Sequence, residues 1–105
     1  MTKRTYQIIY EELKNRDSSL TEERFCLDYL NRSYHYTSMC KASHLDISDS
    51  SLLALYRSLN GLAITWKDIA DNSPDAPQSR AHQNHLFFLH LAGLVWVELQ
   101  GLEPS

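Results

Sequence analysis

Apolar positions recur along this chain mostly at helical spacing. Tyr6, Ile9, Tyr10 and Leu13 fall on one side, with Glu11, Glu12 and Lys14 opposite, so a first helix is predicted from Thr5 to about Asn15. The polar run Arg16-Asp17-Ser18 ends it. Ser19-Leu20-Thr21-Glu22 fits a capping box, with the Ser hydroxyl accepting from the Glu22 amide and the Glu reaching back. A second helix then runs to about Leu30, burying Phe25, Cys26, Tyr29 and Leu30. Asn31-Arg32-Ser33 reads as a tight break in which Ser33 caps a short third helix, about Tyr34 to Ser43.

Leu45 to Ser50 is a loop rich in capping residues. Leu52, Leu55, Leu59 and Leu62 then mark an amphipathic fourth helix. Gly61 either ends it or loosens it before Ala63, Ile64, Trp66 and Ile69 carry the pattern to about Ala70. Residues 71–78 hold two prolines that block helix continuation and form a linker. Ser79 caps a last long helix to about Gln100, with Gly101 as its stop. From Leu86 to Leu99 that helix is apolar on nearly every face. A helix apolar all round is buried all round, so either the other helices wrap it or a second copy does, as a homodimer. The expectation is one all-α domain of 105 residues, a five- to six-helix bundle with an N-terminal helix-turn-helix-like module over residues 5–60.

The layout of that module carries a resemblance. Leu30 closes one helix, Ser33 follows three residues on, Tyr36 lies inside the next helix, and Ser51-Leu52 opens another. This is similar to the Cro and phage-repressor type of helix-turn-helix, which implies a DNA-reading fold. A closer resemblance is to small proteobacterial proteins of a family of unknown function. These begin with an Ile-Tyr-x-x-Leu helix, here Ile9 to Leu13, and continue with a Leu-x-Arg-Ser turn and a Ser-Leu helix. The second resemblance implies a fold and no activity. Three departures stand out: Asn31 replaces the turn glycine, Thr37 and Cys40 replace aliphatics, and the loop before Ser51 is about three residues longer than usual.

Charge changes the picture. The net charge is −3, with seven Lys/Arg against six Asp/Glu in residues 2–44 and three against seven in residues 45–105. Neither half is the strongly basic surface of a protein living on phosphate contacts. Even so, the stretch from Asn31 to Leu45 holds no acid. On the duplex-DNA reading, Arg32, Tyr34, His35, Ser38 and Lys41 face the groove, with Arg32 able to pair with guanine and with Lys3 and Arg4 as further phosphate contacts. The competing reading is a protein-interaction module or phage-type inhibitor. There Tyr34, Tyr36 and Met39, with His35, form an aromatic, weakly charged contact surface, and Asp68, Asp71 and Asp75 either engage a basic partner or simply solvate a linker.

Other chemistry is not supported. His82 and His85 lie one turn apart on the last helix, but His90 points about 140° away from His85; no metal or other cofactor is expected. His82 and His85 read as polar surface and His90 as a packed histidine. No nucleophile elbow, phosphate loop or paired-carboxylate pattern suggests an enzyme. Cys26 and Cys40 are too few for a disulfide framework and read as buried free thiols. No run is long enough to cross a membrane, and a cytoplasmic protein is expected.

Overall fold

Helix α1 (Thr5–Arg16) buries Tyr6, Ile9 and Leu13, the i, i+3 and i+7 positions of the apolar pattern. Its first turn is closed by Gln7, whose Oε1 accepts from the Arg4 amide at 2.9 Å. The computed structural model describes residues 4–72 and 80–101, and these form five helices with no strand among them. The chain is therefore all-α.

The turn after α1 departs from the expected capping box. Ser19 donates its amide and its hydroxyl to the Asp17 carboxylate, at 3.1 and 2.5 Å. A carboxylate is a stronger acceptor than a hydroxyl, so Ser19 is committed backward. The cap falls to Thr21, whose Oγ1 accepts from the Arg24 amide at 3.2 Å, and α2 spans only Glu22–Asp28. Asn31 then takes a left-handed φ of 55°, which a short polar side chain tolerates. Ser33 does not cap with its side chain; its carbonyl accepts from the Tyr36 amide at 3.1 Å. That turn delays α3 to Tyr36–Ala42, with His35 at the N-cap.

Helix α4 (Asp49–Asp71) is uninterrupted. Ser48 caps it, its Oγ accepting from the Ser51 amide at 3.2 Å, and Gly61 does not end it. Leu52, Leu55, Leu59 and Ala63 line its buried side. The predicted linker lies mostly outside the described residues, as does the Ser79 cap; its first residues, Asp71 and Asn72, still belong to the end and cap of α4. Helix α5 (Arg80–Gly101) returns antiparallel to α4. The sense follows from two contacts: His85 Nδ1 lies 2.9 Å from the Ala63 carbonyl, and the Trp96 ring lies 5.4 Å from that of Tyr56.

The core joins these parts. Ile9 and Leu13 of α1 meet Phe25 and Leu30 of the α2 region, Leu55 and Leu59 of α4, and Leu91 and Val95 of α5. Tyr10, Phe25 and Tyr29 stack in series, with ring centroids 5.4 and 5.6 Å apart. Arg16 ties α1 to α5 through Asn84 at 2.8 Å and sits 4.1 Å over the Phe87 ring. The expectation that the other helices wrap α5 on all sides is not met. Only Ala81, Leu91, Ala92 and Val95 are buried, because α5 packs chiefly on α4 and, more lightly, on α1. Its far side remains open, and His90, expected to be packed, is exposed on it.

Candidate functional site

The short helix α3 is set on the surface by its inner side. Thr37 and Cys40 are buried, and Thr37 Oγ1 lies 3.4 Å from the Cys26 thiol of α2. With that side fixed, the 3.6-residue repeat turns His35, Ser38, Met39 and Ala42 outward together. All four are exposed, and Met39 is 57% open. Tyr34, 58% open, flanks them with its ring edge-on to His35 at 4.8 Å. Leu45, just past the helix, is 62% open. The left-handed φ of 57° at His44 brings it there.

The two cations of the predicted DNA face are not free on that surface. Lys41 points to the flank, where its Nζ meets Glu22 Oε1 at 2.7 Å. The hydrogen bond to Glu22 raises the Lys41 pKa above its ordinary value, and burial opposes it only in part. Arg32 is held at the start of α4. Its Nε donates to Ser51 Oγ at 2.7 Å, its Nη2 to Ser48 Oγ at 3.0 Å and to Ser50 Oγ at 2.5 Å, and its guanidinium lies 5.4 Å from the Tyr36 ring. Among the described residues no carboxylate pairs with it. The two cations lie beyond opposite ends of α2, since Lys41 joins its first residue while the Arg32 amide bonds to Cys26 O near its end. Arg4 is also engaged, with Asp46 at 3.3 Å; Lys3 lies outside the described residues.

Tyr36 was expected on the contact surface and is corrected to a structural role. Its ring is half-buried against the core, and its hydroxyl accepts from the Ser48 amide at 2.9 Å. Of the predicted residues, the structure gathers Tyr34, His35, Ser38 and Met39 on one outward surface and draws Arg32, Tyr36 and Lys41 into holding α3 against α2 and α4. Leu45 was missed, although its place between a helix end and a capping loop gave no periodic signal. So was Glu22, whose pairing with Lys41 spans nineteen residues and is invisible to local patterns.

A pocket of about 170 Å³ opens beside the Lys41–Glu22 pair, walled by Tyr6, Tyr10, Phe25 and Thr37. Burial raises the Tyr6 pKa, and nearby Lys41 offsets this in part. Among the described residues no three His, Cys, Asp or Glu side chains gather as a metal site. His82 and His85, expected on the polar surface, are both half-buried. The bond to a carbonyl, which only accepts, puts the His85 proton on Nδ1.

These features define a small all-helical protein with an uncharged outer face on its third helix. The chain belongs to the family of unknown function DUF6626, whose model matches residues 7–86. That span takes in all of α1 but its first two residues, α2 to α4, and the first turns of α5. No curated protein and no solved structure matches the chain.

Proposed function

We propose that this protein is a non-catalytic interaction module that binds a protein partner through the outer face of α3. One observation carries the reading: Tyr34, His35, Ser38, Met39 and Leu45 are exposed together, while Lys41 is neutralised by Glu22. Aromatic and methionine side chains without charge are favoured at the centre of protein interfaces, and phosphate binding needs cations that this surface does not present. The partner is accordingly a protein offering an apolar, weakly charged patch. Two buried free cysteines fit a reducing compartment and support a cytoplasmic location; among the described residues no helix is long and apolar enough to cross a membrane.

One feature favours the second reading, a DNA-binding regulator of the helix-turn-helix type. Arg32 has no carboxylate partner among the described residues, and its serine contacts leave its charge uncompensated. The two readings separate in fluorescence anisotropy with random-sequence duplex DNA at about 50 and 200 mM salt, where phosphate-driven binding falls steeply. We expect no salt-steep binding, and a partner cross-linked in cells that is lost with Tyr34→Ala and Met39→Ala but kept with Lys41→Ala. DNA binding that weakens steeply with salt overturns the protein-binding reading, whether or not Lys41→Ala affects it.

A further inference from the structure

We propose that two copies of this chain pair through the outward side of α5, crossing antiparallel at Gly93. The inference does not depend on the α3 reading. At about 100° per residue, Leu86, Gly93 and Val97 fall within about 40° of one another on the side of α5 turned away from α4, and Leu89 and Trp96 border them. Val97 is 68% exposed, Leu86 49%, Leu89 47% and Trp96 46%. No Asp, Glu, Lys or Arg belongs to this stripe.

Gly93 is the second, independent observation. It lies in the interior of a 22-residue helix, where glycine is the poorest residue after proline. Nothing inside the molecule requires it, because a Cβ placed there meets no atom within 4 Å. A residue that weakens the helix and serves no internal contact, at the centre of an apolar stripe, suits a close approach from outside. Small residues let two helix backbones come together.

The occupant that fits is a second copy. An isologous pair brings each residue to a place set by the two-fold axis. With the axis at Gly93, Leu89 of each copy comes level with Trp96 and Val97 of the other, and the two glycines meet. Apolar thus meets apolar on both sides of the axis, and no like charges are brought together. With ordinary side-chain areas, the exposed fractions amount to roughly 400 Å² of apolar surface per copy. Two copies with the flanking Gln83, His90, Leu94 and Gln100 reach about 1,200 Å², the lower range of stable interfaces.

Sedimentation equilibrium of the full chain at about 10–100 µM, a range that resolves a micromolar dimer, tests the proposal. The expected mass is twice the 12.2 kDa of one chain. Gly93→Arg should give a monomer with unchanged or increased helical circular dichroism, since a Cβ there meets nothing within 4 Å in one copy and arginine favours helix over glycine. Val97→Glu, at the most exposed position of the stripe, should do the same and serves if the first variant folds poorly. Leu45→Glu, remote from α5, should remain dimeric. A wild-type chain that stays monomeric throughout the range, or a dimer that survives both α5 substitutions, overturns the proposal.

Discussion

A single hydroxyl decides where α2 begins, and a neighbouring carboxylate decides which hydroxyl it is. The sequence offers Ser19 and Thr21 as caps two residues apart, and local pattern alone favours Ser19 because Glu22 stands three residues on. Asp17 breaks the tie by accepting twice from Ser19. Thr21→Ala should therefore destabilise the fold by about 1 kcal/mol, seen as a lower melting temperature, while Ser19→Ala should cost less; equal losses would sink this assignment. Arg32 is a second case. As a sequence position it reads as a base contact, yet its partners Ser48, Ser50 and Ser51 lie 16–19 residues away and no local rule finds them. Arg32→Ala should lower stability by about 1–2 kcal/mol, the lower part of the range for hydrogen bonds to a charged group because the guanidinium is exposed. Arg32→Lys should recover only part of this, because an ammonium lacks the planar fork. Recovery to the wild-type melting temperature would mean that charge, not the fork, matters at this position.

At the scale of elements, the helical repeat was legible wherever one side of a helix meets the core. Tyr6, Ile9 and Leu13 in α1 and Leu52, Leu55 and Leu59 in α4 are buried as their spacing predicts. The short helices were less legible. With seven residues each, α2 and α3 have ends set by turns and long-range bonds that a periodic pattern does not contain. From Leu86 to Leu99 α5 is apolar on nearly every face, but burial depends on how many neighbours exist to cover it, which is a property of the packing around the helix and not of the helix. α4 offers two opposed tests. Leu59 is fully buried, so Leu59→Ala should cost about 2–5 kcal/mol through lost burial and a cavity. Gly61 is exposed in the middle of the same helix, and a Cβ there meets nothing within 4 Å. Gly61→Ala should accordingly stabilise by about 0.5–1 kcal/mol, raising the midpoint of thermal unfolding; a loss instead would mean that the open side of α4 is covered in solution.

Across the whole molecule, titration links the pocket between α1, α2 and α3 to global stability. Burial raises the pKa of Tyr6 above 10.0, and burial likewise raises that of Tyr29; the Glu22 hydrogen bond raises that of Lys41 above 10.5. In each case the folded chain holds its proton to a higher pH than the unfolded chain does. Between the ordinary value and the raised one, the unfolded state binds fewer protons, so stability falls as pH increases. The contribution is fully present below pH 10.0 for the tyrosines and below 10.5 for Lys41, and it is lost as pH rises through the folded values. Loss of the Lys41 charge leaves Glu22 without its partner, while ionisation of the buried Tyr6 places a phenolate in the same pocket as Glu11 and Glu22, so the seam between α1 and α3 should loosen together. Tyrosinate absorbance and helical circular dichroism, followed during alkaline titration, read this directly. Tyr6 and Tyr29, whose burial holds their protons, should ionise in step with the loss of helix. Tyr6→Phe removes one of the buried phenols and should move the alkaline midpoint to higher pH. If the helical signal persists after tyrosinate formation is complete, the Tyr6 pocket admits solvent freely and carries no such coupling.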